Sequence, residues 1–453
     1  GEQLALGDAK GNHLAGGGPT EGVGPQRTYT LESQKMQLDL LLDSKRATPA
    51  DLICEGRVRF AENPTGASRE KPLSVAGERL KVSNLRSGSV EVQVSGASDP
   101  AQIIAQGLAL KAATVMLSQR SNRLWADGAG SAQVNVNRDL FGQATAAATT
   151  LNLTWQGGLD FDGRTITVRE NVLGEGPHDW VRCQQVTAAL TRAVDFTRPQ
   201  NGREVQVAKI DCTGGVTIDH RGVDAGGQQS HEHGSIQTIA IDQTTGELSG
   251  TGPGWIRSVR LTTSDQKRSL QFLRVHFLHG ITGNVRNKQL SFLGNVRAVY
   301  GPVAGWQQEL PLNPPGALPP DTGTLECERL TVNEDPLART TPVMQEQNDL
   351  GPVELHAIGN VKIQGAAEGK GLFTAYAGAA SYSKSKEEFV LEWDGRSLAT
   401  IWQQDAPGSP PRKSEAQKLT YWRLIPRVKI ENFSRATSGP ASAQRETVGT
   451  PRR

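Results

Sequence analysis

The stretch Leu151-Asn152-Leu153-Thr154-Trp155-Gln156-Gly157-Gly158-Leu159-Asp160-Phe161-Asp162-Gly163-Arg164-Thr165-Ile166-Thr167-Val168 places apolar side chains at alternate positions on either side of an Asp-Gly pair. Alternation with a period of two puts one face of a strand in a core and the other in water. Asp162-Gly163 reads as a hairpin turn of the kind whose two central residues both take φ > 0. The pattern stops at Gly174-Glu175-Gly176-Pro177 and returns as Val181, Cys183, Val186, Ala188 and Leu190. Short strands joined by tight turns are therefore expected here, and the rest of the chain repeats the arrangement.

Composition agrees. Fifty glycines and 24 prolines in 453 residues supply frequent turns, and a hydrophobic fraction of 36% suffices for strands that need one apolar face each. That length accommodates two to four ordinary domains or one long repeat array. The net charge of +2 implies no strong field for nucleic acid or membrane, the only basic bias being Arg435, Arg445, Arg452 and Arg453 in the tail. No apolar run reaches the roughly 18 residues of a membrane-spanning helix. No signal peptide is visible, and an opening at Gly1 without methionine suggests a processed or trimmed product.

Outward from the first stretch, an element apolar-x-Gly-x-Val recurs. It reads Cys54-Glu55-Gly56-Arg57-Val58, Cys212-Thr213-Gly214-Gly215-Val216, Ile281-Thr282-Gly283-Asn284-Val285, Phe292-Leu293-Gly294-Asn295-Val296 and Ala357-Ile358-Gly359-Asn360-Val361. Glycine at a fixed offset before valine predicts the same bulge or bend in each copy. A second element, apolar-x-x-apolar-x-apolar, breaks alternation once: Gly77..Leu80..Val82, Ala105..Leu108..Leu110, Cys183..Val186..Ala188, Cys327..Leu330..Val332 and Ala377..Ala380..Tyr382. Repetition every 50–70 or so residues predicts stacked units with a shared core. The organisation expected is a glycine-rich flexible leader over 1–27, repeats over 28–200 and 201–433, and a disordered tail over 434–453, with loops at Asp224 to Gly234 and Gly305 to Thr322. Leu31 to Leu42 is read as a first strand in preference to a short helix, and Leu419, Tyr421, Val428 and Ile430 as a final hairpin.

Residues with catalytic or ligating chemistry have simple explanations. His231-Glu232-His233 could share a metal on one strand face, but it reads as a polar loop with no third ligand near in sequence. His276 and His279, three apart, would point to opposite faces. Asp160 and Asp162 imitate a carboxylate pair, yet one belongs to the turn and the other to an outward face. Gly250-Thr251-Gly252-Pro253-Gly254 reads as a turn, and Asn152-Leu153-Thr154 matches a common glycosylation acceptor. Cys54, Cys183, Cys212 and Cys327 lie on apolar strand positions without a CxxC. A small buried side chain explains each; a disulfide, Cys183 with Cys212 first, is the alternative that geometry decides. No cofactor, metal or catalytic residue is expected.

Gly-Asn-Val followed by a turn and the strand Phe373-Thr374-Ala375-Tyr376-Ala377 resembles the OstA-like repeat, and the resemblance extends through short motifs from Ile53 to Ile430. That repeat builds the lipopolysaccharide-transport proteins A and C and the N-terminal domain of protein D. The resemblance implies an elongated antiparallel β-jellyroll (β-taco), or a β-solenoid, made of stacked repeats and open along one edge. It implies a periplasmic or cell-envelope location and acyl chains of amphipathic lipid, such as lipopolysaccharide, held on an apolar interior. It implies end-to-end self-association or contact with other envelope transport components. Trp155, Phe161, Phe272, Phe277, Phe292 and Val296 are the candidates for lining that groove; a closed core is their other reading. The rivals are a fibre or surface-layer-type protein joined through strand edges, and a carbohydrate-active β-helix enzyme, for which no cluster of carboxylates is found.

Overall fold

The computed structural model describes residues 4–6, 28–43, 46–63, 73–85, 89–105, 108–138, 144–196, 205–223, 229–264, 267–313, 318–334, 353–366, 371–383, 386, 388–404, 406–422 and 427–437. Among them the chain is all-β without a helix, as the alternation predicts, and every described strand pairing is antiparallel. The strands are β1 (Leu4–Leu6), β2 (Thr28–Glu32), β3 (Lys35–Asp43), β4 (Arg46–Asn63), β5 (Ser74–Ser83), β6 (Glu91–Ser95), β7 (Ala101–Ala105), β8 (Leu108–Ser118), β9 (Arg123–Arg138), β10 (Ala144–Trp155), β11 (Gly158–Phe161), β12 (Thr165–Glu175), β13 (Asp179–Leu190), β14 (Val207–Val223) and β15 (Gln229–Asp242). They continue as β16 (Glu247–Thr251), β17 (Gly254–Ser264), β18 (Lys267–Phe277), β19 (Gly280–Asn284), β20 (Gln289–Val303), β21 (Gly323–Glu334), β22 (Val353–Ala366), β23 (Leu372–Ser383), β24 (Glu388–Glu392), β25 (Ala399–Gln403), β26 (Arg412–Trp422) and β27 (Arg427–Thr437).

Contacts divide the chain into two units, Gly1–Ile218 with Thr238–Thr245, and Asp219–Gln237 with Gly246–Arg453. The expected leader over Gly7 to Gly24, the boundary at 200/201 and the tail beyond Thr437 lie outside the described residues. Within the leader span, β1 pairs with β2, and β27 carries regular pairing past Ser434.

In both units long strands alternate with pairs of short ones. In the first, β4 is flanked by β2 and β3 together, and β9 by β10 and β11. In the second, β20 is flanked by β18 and β19, and β26 by β24 and β25. Where the short pairs beside β4, β9 and β20 break, the long strand bulges, and beside β26 the extra residue lies in β27, so a crease crosses the strands of each unit.

The glycine-valine element is that bulge. In β20, Gly294 and Asn295 both take positive φ, +80° and +44°, and these two residues face the single residue Glu328 of β21. Left-handed backbone costs an ordinary side chain about 1 kcal/mol or more but suits Gly and Asn. The pairs Gly56-Arg57, Gly214-Gly215 and Gly359-Asn360 have the same left-handed backbone. The valine after each pair is buried, and so is the residue four before it: Cys54 with Val58, Cys212 with Val216, Phe292 with Val296, Ala357 with Val361. With two residues facing one, the strand carries one extra residue at the bend, and its inward row continues on either side.

The second sequence element is the strand that faces the bulge. Val58 pairs with Gly77 and Cys54 with Leu80; Val296 pairs with Cys327 and Phe292 with Leu330; Val361 pairs with Ala377 and Ala357 with Ala380. Its single break in alternation is the one residue opposite the left-handed pair.

Three expectations are corrected. Ile281 to Val285 is no bulge: register with β20 runs unbroken to Asn284, whose Oδ1 accepts the N–H groups of Arg286 and Asn287 at 3.0 Å in a hairpin turn. Ala105 and Leu108 face each other as the ends of the β7–β8 hairpin. Asp162-Gly163 has positive φ at Gly163 alone, because the Asp162 carboxylate closes the turn on the N–H groups of Arg164 (2.8 Å) and Thr165 (2.6 Å). Other bulges escaped the sequence pattern: Gly128-Ala129 of β9 face Ala113, and Glu170-Asn171 of β12, also left-handed, face Gln184 with no glycine to mark them.

Candidate functional site

The six groove candidates do not line one groove. Trp155 ends β10, donates its indole N–H to the Gly128 carbonyl at 3.1 Å and fills the space above Gly130. Phe161 ends β11, half-buried, edge-on to Phe196 at 5.8 Å. Phe272 and Phe277 are five apart on β18, whose register with β17 is unbroken, so they occupy opposite faces. Phe277 meets Phe292 at 5.5 Å, and Phe292 lies across from Ile281. Phe272 instead packs with Val259, Val299, Val303 and Leu310. Trp155, Phe272, Phe277, Phe292 and Val296 are each at most 4% exposed, so protein atoms cover them in this structure.

The Phe272 face has a second layer that strand alternation could not forecast. Leu310 comes from the segment after β20, and Trp306 and Leu312 of the same segment pack on the cluster. Cross-strand partners extend this face. Val259 lies beside Phe272, Arg257 beside Arg274 and Trp255 beside His276; on β15, His231 lies beside Val259 and His233 beside Arg257. One half of the face is therefore apolar and the other is charged and aromatic.

The charged half is held from the covering segment. Glu309 Oε2 lies 2.6 Å from Arg274 Nη1, and its Oε1 lies 3.8 Å from Nε of Arg257, which is 8% exposed. Arg257 also donates to the Trp306 carbonyl. The Arg274 guanidinium stands 5.2 Å from the Trp255 ring centre and donates Nε–H to His276 Nε2 at 2.8 Å. Burial, and then the Arg274 charge, push the His276 pKa down, so the neutral imidazole that accepts this bond is favoured.

His231 and His233 stand in strand β15, not in a loop, and a third group does meet them. Asp219 of β14, itself buried, places Oδ2 2.8 Å from His231 Nε2 and 3.3 Å from His233 Nδ1. Twelve residues separate Asp219 from His231, so only the fold brings them together. Even so, among the described residues no group of three or more His, Cys, Asp and Glu could hold a metal ion. The carboxylate is engaged by the two imidazoles and, at 3.8 Å, by Arg221. The cluster thus acts as a clasp between β14 and β15.

The remaining residues singled out from sequence stay apart. Asp160 accepts Nε–H of Arg123 at 2.7 Å, and Asp162 serves its turn. His279 lies between β18 and β19, packed over Gly294. All four cysteines are buried free thiols, and the Cys183 thiol donates to the Gln185 carbonyl at 3.4 Å. On an outer face, Leu372, Thr374, Tyr376, Trp402, Gln404 and Pro411 line an open cleft of about 330 Å³, with Tyr376 edge-on to Trp402 at 5.5 Å. No protein-family model matches the chain, and no curated protein is similar to it.

Proposed function

We propose that this protein is a non-catalytic component of a bacterial cell envelope, of the OstA-like kind, that binds or bridges amphipathic lipid along the apolar inner face of its strands. The observation that supports this is the repeated bulge. At four creases a left-handed pair, one residue of it in excess of the facing strand, lies between buried apolar residues, as Gly294-Asn295 does between Phe292 and Val296. Each methylene moved from water onto such a face gains about 0.8 kcal/mol. The row is covered in the structure, so lipid enters by parting side chains at the crease, and loading is slow compared with diffusion. Titration with lipopolysaccharide or a fluorescent fatty acid tests this: saturable binding supports it, and its absence overturns it.

A second reading, a structural protein assembling through strand edges, draws on β3. Among the described pairings β3 meets only β4, and Leu38, Leu40, Leu41 and Leu42 are all exposed, Leu42 by 83%. An unpaired, apolar edge favours strand addition. Filaments that grow with concentration and without lipid would favour this reading over the first.

A further inference from the structure

Arg257 and Arg274 stand directly opposite each other on β17 and β18. Arg297 of β20 lies across from His276, which is two residues beyond Arg274 and so on the same face. Like charges directly opposite on a sheet repel, and long side chains also reach their diagonal neighbours. Three guanidinium groups on one patch therefore call for anions, and the carboxylates nearby are engaged. Glu309 gives Arg274 an oxygen at 2.6 Å, but its other oxygen stays 3.8 Å from Arg257 Nε, beyond hydrogen-bond length. Glu326, across from Arg297 on β21, is bonded by Lys362 at 3.4 Å. Asp219 is held by His231 and His233. Arg257, 8% exposed, directs one nitrogen to the Trp306 carbonyl. Among the described residues, the buried Nε atoms of Arg257 and of Arg297 have no hydrogen-bond partner. A buried donor on a cation is costly without an acceptor.

We propose that Arg257, Arg274 and Arg297 form a binding site for a phosphate group, whose place Glu309 holds in part. A phosphate carries three acceptor oxygens and close to two negative charges, where a carboxylate has two oxygens in one plane and a single charge. Guanidinium forks match that geometry. The side chains of Arg274 and Glu309 keep 24% and 46% of their surface exposed, so the ligand enters from solvent and displaces the carboxylate. The group is either a free phosphate or the headgroup of a phosphorylated amphipath. The site stands apart from the lipid reading, because a phosphate needs no acyl chain to be held here.

The test titrates the full chain with sodium phosphate, and with sodium chloride at equal ionic strength, by calorimetry and by thermal unfolding. Expected are saturable binding and a Tm that rises with phosphate and not with chloride. Arg297→Gln and Arg274→Gln should each weaken binding about tenfold or more, the loss of one hydrogen bond to a charged group. Glu309→Gln should bind phosphate more tightly than the wild type, and phosphate should restore the Tm that this variant loses. That gain sets a ligand site apart from a structural ion pair, and it is readable even where an arginine variant fails to fold. Three results would overturn the proposal: no phosphate effect beyond that of chloride, equal affinity in Arg297→Gln and wild type, or no gain in Glu309→Gln. Dodecyl phosphate, with dodecyl maltoside as the uncharged control, separates the two sources. Binding tighter than that of inorganic phosphate, and weakened by Arg297→Gln, assigns a headgroup; equal affinity assigns the free anion.

Discussion

Glu309 reaches from the segment after β20 to Arg274 on β18, its Oε2 2.6 Å from Nη1, and its other oxygen turns toward buried Arg257. One carboxylate thus ties the covering segment to two cations on the sheet. Replacing Glu309 by Gln removes that charge and leaves Arg257 without its carboxylate in a covered site. Glu309 is itself half-exposed, so the expected loss is about 1–2 kcal/mol, between the surface and buried extremes. Urea unfolding measures it, and limited proteolysis should cut faster around Trp306. Unchanged stability and unchanged cleavage would show that the segment is held by Leu310 and Trp306 alone.

The bulge glycines should differ in what they tolerate. Gly294 and Gly215 both have φ near +80°, so alanine at either costs about 1 kcal/mol in backbone strain. A Cβ at Gly294 also runs into the His279 ring, whereas one at Gly215 meets nothing within 4 Å. Gly294→Ala should therefore be the more destabilising by at least about 1 kcal/mol. Equal unfolding midpoints for the two variants would refute the account of the crease.

Phe292 separates stability from lipid binding. It is 4% exposed beside Phe277, so Phe292→Ala should cost about 3–5 kcal/mol. Phe292→Asp should prevent folding outright, so its failure to bind lipid would carry no information. Phe161→Asp, at a half-buried strand end, is the better probe. Loss of fatty-acid binding with an unchanged circular dichroism spectrum would support an inner lipid site. Binding at full strength would remove Phe161 from it.

Stability should rise with pH through the range just below about 6.5, the ordinary histidine value. The folded His276 pKa is lowered, by burial first and then by Arg274, so in that window the unfolded chain binds more protons. The contribution is fully present above the unfolded pKa and is lost as pH falls through the folded one. His276→Gln keeps an acceptor for Arg274 and removes the titration. The difference between the two pH–stability curves should show a step there; parallel curves would mean that His276 titrates normally.

Cys327 should be inert in the native protein. Burial, and then the nearby Glu328 charge, push its pKa up to about 12. Its thiolate fraction at pH 8 is then roughly a thousandfold below that of a free thiol. Alkylation followed by mass spectrometry should find it labelled only after denaturation. Rapid native labelling would place it at the surface.

Much of the fold is legible in the residues. Alternation around Trp155 and Ile166 yields the strands, and the offset between Gly294 and Val296 yields the bend, because the left-handed pair must be followed by an inward residue. The same spacing misleads at Gly283, where an asparagine carboxamide closes a turn, and fails at Glu170-Asn171, where the pairing with β13 enforces left-handed backbone without glycine. Aromatic character alone groups Phe272 and Phe277 in one groove. Their odd separation already assigns them to opposite faces, but which faces are covered depends on a segment more than 25 residues away.

The sequence by itself determined the all-β class, the strand phase and most of the crease positions, since these depend on backbone preferences and on neighbours within a few residues. Only the tertiary structure decided that Asp219 meets His231 and His233, and that Glu309 anchors a second layer over Phe272 by reaching Arg274 and Arg257. Those contacts join residues 12 to 52 positions apart. Strand register and the path of the connections set them, and no local pattern of side chains encodes either.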